Sequence, residues 1–254
     1  MSAIKKHFST SILTKNLKNK TFYPLANKKE GLDFRIFLHK DQDCIHKASY
    51  WHEIPFQNSD DSTYNMVIEV PRGECAKMEM SKETHNPIKQ DTKLNKITKE
   101  VYLRYYKLTP QFNYGFMPRT WENNKIKYFD KYIGDNDPID LVELSKEKRY
   151  HVGEIIKVYS VGSFCLIDQN ECDWKILVVD SNEISYEESR NYLSNQENRD
   201  RIKNIQRWFK VYKTFDGKKE NIIYDDDRIF NVDETEKIIE ESHKYYNDLL
   251  NFKI

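Results

Sequence analysis

The chain has 254 residues and a mass of 30.6 kDa, with 41 Lys+Arg against 41 Asp+Glu and a mean hydropathy of −0.85. That is enough for one large domain or two small ones, and no apolar run approaches the roughly 18 residues needed to span a bilayer. A formal net charge of zero argues against a protein that coats nucleic acid or inserts at an acidic membrane. Cys44, Cys75, Cys165 and Cys172 form no CxxC pair, so neither a disulfide framework nor a zinc ribbon is indicated, and a reducing compartment fits.

The zero hides an asymmetry. Residues 1–29 carry seven lysines and no acid, which leaves −7 on the remainder. Ile4, Phe8 and Ile12 recur at helical spacing among Ser and Thr. Such a segment reads as a mitochondrial transit peptide or as a retained basic tail on a cytoplasmic protein. Residues 30–254 show no repeat or linker and read as one domain. Alternation predicts strands over 33–39, 64–70 and 75–80, the last placing Lys77 and Glu79 on one face and Ala76, Met78 and Met80 on the other. Glu69 points away from Met66, Ile68 and Val70. Three more strands, 155–161, 163–167 and 174–179, suggest a small closed or nearly closed barrel. Two amphipathic helices follow over 199–213 (Ile202, Ile205, Phe209, Tyr212) and 232–252 (Ile238, Ile239, Tyr245, Leu249, Leu250). The class is mainly β with flanking α.

Glycine spacing excludes GxGxxG and P-loop nucleotide cradles, and zincin and GxSxG patterns are absent. The densest chemical feature is Gly134-Asp135-Asn136-Asp137-Pro138-Ile139-Asp140, three acids in a forced turn. An EF-hand fails, because the sixth loop position is Asp140 and the twelfth Lys146. A second acidic turn, Asp168 to Asp173, precedes apolar strand residues and is therefore fixed on the barrel. Asp225–Asp227 reads as an ordinary solvated turn. Hard carboxylates without His or thiolate select Mg²⁺ or Mn²⁺ over zinc, and a phosphate-processing two-metal site is the natural inference.

At this point the sequence resembles a known family. Glu69-Val70-Pro71-Arg72, Ala76-Lys77-Met78-Glu79, Asn86 to Thr92, Asn113-Tyr114-Gly115, Pro118 to Glu122, Gly134 to Asp140, Asp173-Trp174-Lys175 and Trp208 to Lys213 are similar, in order and spacing, to the soluble family I inorganic pyrophosphatases of eukaryotes. The resemblance spans roughly residues 33–250. It implies a five-stranded OB-like closed barrel with two C-terminal helices and extra short strands, a homodimer, and hydrolysis of inorganic pyrophosphate by a metal-activated water with several Mg²⁺ per site, Mn²⁺ being a substitute. Carried over by position, Asp135, Asp140 and Asp173 are metal ligands, with Asp168, Glu79 and Glu69 near further cations. Asp137 matches the general base. Lys77, Tyr114, Lys175, Tyr212 and Lys213 match the groups that grip phosphate, Lys77 and Tyr114 lying nearest the chemistry.

These seven acids and three lysines sum to −4, so metal dependence is expected to be absolute. A phosphate-binding arginine of the family falls, without gaps, on Thr98; a one-residue shift in this slightly longer stretch puts Lys99 there instead. Lysine would keep the charge and lose the bidentate fork. That departure leaves a degenerate metal- or partner-binding protein as the alternative. An OB-type single-strand binder is opposed by the acidic body.

Overall fold

The computed structural model describes residues 22–59 and 61–251, so the amphipathic stripe expected at Ile4, Phe8 and Ile12 lies outside the described residues. Three short strands open the chain: β1 (Tyr23–Ala26), β2 (Ile36–His39) and β3 (Lys47–Ala48). After β4 (Tyr64–Val70) come β5 (Met78–Met80) and β6 (Ile88–Gln90), which join β1 to β3 in a five-stranded sheet. A hairpin, β7 (Thr92–Leu94) and β8 (Val101–Leu103), pairs only with itself. The second large sheet takes β4 and β9 (Asn113–Phe116), β10 (Ile133–Gly134), β11 (Asp140–Glu143), β12 (Ile155–Asp168), β13 (Glu171–Asp180) and β14 (Ile222–Ile223).

The pairings β4 with β9, β9 with β11, β11 with β13, β13 with β12 and β12 with β4 form a ring. Five strands therefore close into the barrel that the sequence suggested. Met66, Ile68, Leu141, Val158, Cys165, Ile176 and Val178 fill its interior. All four cysteines are free. The alternate residues face outward into two further apolar layers. Val67, Phe116 and Ile155 pack under the five-stranded sheet, and Val142, Phe164, Leu177 and Val179 pack under a helix.

The stretches 155–161 and 163–167, read as separate strands, are one 14-residue strand. Gly162 lets it run on: its pairing shifts between Ser160 and Gly162, its φ is +154°, and a Cβ would lie 2.9 Å from the Phe230 carbonyl. A β-bulge in place of a turn is the local solution.

After α1 (Tyr186–Arg190), α2 (Gln196–Val211) is capped by the Asn195 side chain and buries Ile202, Ile205 and Phe209 against the barrel. Asp225 to Asp227, in α3 (Tyr224–Asp227), turn left-handed with φ of +54° to +62°. The last helix, α4 (Val232–Leu250), starts with a capping box from Asn231 to Glu234. It buries Ile239 and Tyr246 while Leu250 is half exposed, so the apolar face is turned slightly from the one expected. No helix of the described residues is long and apolar enough to cross a membrane.

Candidate active site

The barrel's outer face carries a cleft of about 490 Å³, floored by β9, β11 and β13 and walled by β5 on one side and the end of α2 on the other. Every site residue expected from the sequence lines it except Lys99. Period two explains the floor. Asp173 and Lys175 share a face of β13 with the outward Leu177 and Val179, Asp140 shares one with Val142, and the β11–β13 register sets Asp140 opposite Lys175. Lys175, 1% exposed, bonds both Asp140 and Asp173 and lies 3.1 Å from the Tyr114 hydroxyl, which itself donates to Asp140.

The turn from Gly134 to Asp140 is welded to the segment Thr120-Trp121-Glu122. Asn136 N–H donates to the Glu122 carbonyl (3.0 Å), Glu122 N–H to the Asp137 carbonyl (2.9 Å), and Trp121 Nε1 to the Asn136 side chain (3.0 Å). Gly134 makes this approach feasible, since a Cβ there would sit 2.5 Å from the Glu122 carbonyl carbon. Asp137 is left exposed at the cleft mouth, 2.9 Å from Lys82, with its N–H donating to Asp135.

On the opposite wall, Lys77 bonds Glu79 at 2.8 Å and Asp91 at 2.7 Å, which confirms that Lys77 and Glu79 share a face. Glu69 is buried where the β4–β9 pairing shifts, and accepts from Met80 N–H. In the hairpin Asp168 to Glu171, Gln169 and Asn170 have φ of +53° and +74°, the left-handed conformation that asparagine tolerates better than most residues. Lys213, just past α2, holds Asp168.

Two functional candidates were missed by sequence reasoning. Glu122 is 1% exposed; its Oε1 accepts from Trp174 N–H at 2.7 Å, and its Oε2 has no hydrogen-bond partner among the described residues. Ligand atoms of Glu122, Asp135 and Asp173 all lie within 4.8 Å of one another. A buried carboxylate oxygen without a donor, aimed into a set of oxygen-only ligands, fits a hard divalent cation. Burial first, then repulsion from Asp135 and Asp173, raises Glu122 far above the usual carboxylate range. Burial with the charges of Asp137 and Asp140 pushes Asp135 up to about 7, and Asp173 is likewise raised by burial. The sequence signal for Glu122 was its place in a motif that carries no other carboxylate.

Arg104 is the second. Neither Thr98 nor Lys99 reaches the cleft: both are exposed in the loop between β7 and β8, Lys99 with φ of +61° and its N–H bonded to Asn95. The hairpin instead brings Arg104 opposite Asp91, with Arg104 N–H on the Asp91 carbonyl at 2.8 Å and the guanidinium on the Asp91 carboxylate. Arg104 lines the cleft beside Lys77. Counting along the sequence without the hairpin's pairing places the expected cation on the loop between β7 and β8.

Interleaved carboxylates and cations on the side of an OB-like barrel define a cleft for a polyanion together with divalent cations. The sequence model described as inorganic pyrophosphatase matches residues 66–247. The chain is 35% identical over 230 residues to the soluble inorganic pyrophosphatase 6, chloroplastic, of Arabidopsis thaliana, covering 87% of this chain and 72% of that one. Its fold is similar to a crystal structure of the type I inorganic pyrophosphatase from P. falciparum (TM-score 0.79, 29% identity, 96% of this chain and 78% of that one). It is also similar to an N-terminally truncated vacuolar soluble pyrophosphatase of Trypanosoma cruzi in complex with PPi (TM-score 0.76, 26% identity, 98% and 100%). The chain belongs to the inorganic pyrophosphatase family, hydrolases of the phosphoric anhydride bond.

Proposed function

We propose that this cleft hydrolyses inorganic pyrophosphate to two phosphates with Mg²⁺ as cofactor, Mn²⁺ substituting. The observation that carries the reading is the pairing of Lys77, Lys175 and Lys213 with Glu79 and Asp91, Asp140 and Asp173, and Asp168. Each phosphate-gripping cation is clamped by a carboxylate that a metal ion would claim. Asp135, Asp140 and Asp173, with Glu122, would hold one cation, and Asp168, Glu79 and Glu69 would hold others. Bound cations would neutralise the carboxylates and acidify the attacking water.

The chain's own groups do the rest. Asp137, exposed at the mouth, takes the proton of that water. Lys77, Lys175, Lys213, Tyr114 and Tyr212 hold the phosphates, and Arg104, not Lys99, supplies the planar fork for a phosphoryl oxygen pair. These donors sit where charge spreads over the phosphoryl oxygens during transfer. Burial pulls Lys77 and Lys175 down, but the carboxylates of Glu79 and Asp91 beside Lys77, and of Asp140 and Asp173 beside Lys175, outweigh it, so both remain charged.

A phosphate-release assay tests this: release from pyrophosphate is expected with Mg²⁺ and abolished by chelator. No Mg²⁺-dependent release at micromolar enzyme overturns it, and metal binding by calorimetry without turnover would instead support the degenerate reading. From family membership we also propose a homodimer, checked by analytical ultracentrifugation. The acid-free segment 1–29 favours a mitochondrial enzyme with 30–254 as its single domain, and a mature N-terminus that retains those residues would favour the cytoplasm.

A further inference from the structure

Tyr106 has no role in the reading above, yet it reaches the same cleft. The segment that follows β8 lies alongside residues 75–77, with Lys77 N–H on the Arg104 carbonyl at 3.2 Å, Tyr106 N–H on the Cys75 carbonyl at 2.7 Å, and Ala76 bridged to Tyr105. Side chains therefore alternate: Arg104 and Tyr106 face the cleft, while Tyr105 is 58% exposed on the other side. The Tyr106 ring packs edge-on against Trp208, with centroids 5.4 Å apart, and tilted against Tyr212 at 5.8 Å. Its hydroxyl makes no hydrogen bond to any described residue, whereas Tyr114 donates to Asp140 and the three lysines are held by carboxylates. Tyr106 shares the cleft lining with Lys77 and Glu69 of one wall and Asp140 and Lys175 of the floor. Burial pushes the phenol up to about 12, which keeps it a donor at neutral pH.

We propose that the Tyr106 hydroxyl binds the substrate, donating a hydrogen bond to a phosphoryl oxygen of pyrophosphate between Lys77 and Lys175. This rests on the proposed hydrolysis of pyrophosphate by the same cleft. An uncommitted donor held rigidly among charged groups gains most when an anionic acceptor arrives with the ligand. The segment after β8 thereby brings a guanidinium and a phenol to one anion.

The test is Tyr106→Phe in the full chain with Mg²⁺, read by kcat and KM for pyrophosphate and by equilibrium binding of imidodiphosphate, whose bridging nitrogen resists hydrolysis. Loss of a hydrogen bond to a charged group predicts a fall in kcat/KM of roughly 10–100-fold and a matching direction in imidodiphosphate affinity. Tyr105→Phe should leave both unchanged. Tyr106→Leu separates hydroxyl from ring: equal losses in the Phe and Leu variants support the proposal. A Phe variant with wild-type kinetics and imidodiphosphate affinity overturns it, whatever the Leu variant does, because Tyr106 is then a packing residue. A wild-type chain that neither turns over pyrophosphate nor binds imidodiphosphate defeats the parent reading instead.

Discussion

The barrel floor and the β7–β8 arm both contribute to one cleft, but they fix their residues by different means. On the floor, Asp140, Tyr114, Asp173 and Lys175 sit in strands whose neighbours on both sides are paired, in a ring with no free edge. A one-residue slip there would turn every side chain over and expose Leu141, Ile176 and their neighbours to the wrong layer, so position in sequence is position in space. The arm has two three-residue strands, mostly exposed, joined by a loop that absorbs extra residues at small entropic cost. There the face of the strand, not the count of residues, decides which side chain meets the cleft. The arm's cation in the cleft is Arg104, beside Lys77, and not the numerically expected Lys99.

The largest effect expected belongs to the welded turn. Asp137→Asn keeps the hydrogen bonds from Asn136 and Glu122 that hold the loop, so metal binding and fold should survive. Activity should drop roughly 10²–10⁴-fold, as removal of a general base does. Steady-state rates beside calorimetric Mg²⁺ binding check this, and wild-type rates would show that the base has been misassigned.

The arm gives the next largest effect and the sharpest contrast. Arg104→Ala should lower kcat/KM roughly 10–100-fold through loss of charged hydrogen bonds, while Lys99→Ala, a change at an exposed loop tip, should stay within about twofold. The reverse ranking would break the comparison, because it would mean that sequence count, not strand face, determines which cation meets the phosphate.

The same contrast explains what was legible. Strand 64–70 was read to the residue, and the barrel followed from alternating strands because each strand has one interior and one layered face. The acidic turn was visible because Gly134 and Pro138 bracket it. Three features were not visible. Gly162 looked like a break and is a bulge within one strand, which local pattern cannot distinguish. Glu122 became a candidate only when the fold carried its carboxylate to Asp135 and Asp173, across a sequence gap that no spacing rule links. Arg104 required knowing how long the hairpin is, a quantity set by pairing and not by composition.

The smallest effect concerns the cost of assembling the floor before any cation is present. Asp135 has a pKa near 3.8 when unfolded and about 7 in the fold, so the folded form holds its proton more tightly. Its contribution is complete below the unfolded value and is lost as pH rises through the folded one, and Glu122 and Asp173, both raised, act in the same direction. Chelator-treated protein should therefore melt lower at pH 8 than at pH 5.5, by roughly 5–10 °C for a penalty on the order of a few kcal/mol. Mg²⁺ should reverse the trend, with an increment that grows with pH because deprotonated carboxylates are the ligands. Glu122→Gln sharpens the point. Glutamine can still accept the Trp174 N–H but adds no buried charge, so the chelated variant should melt higher than wild type at pH 8 and gain less from Mg²⁺. A variant with unchanged pH dependence and unchanged Mg²⁺ increment would mean that Glu122 carries no charge burden in the floor and that its second oxygen is not aimed at a cation.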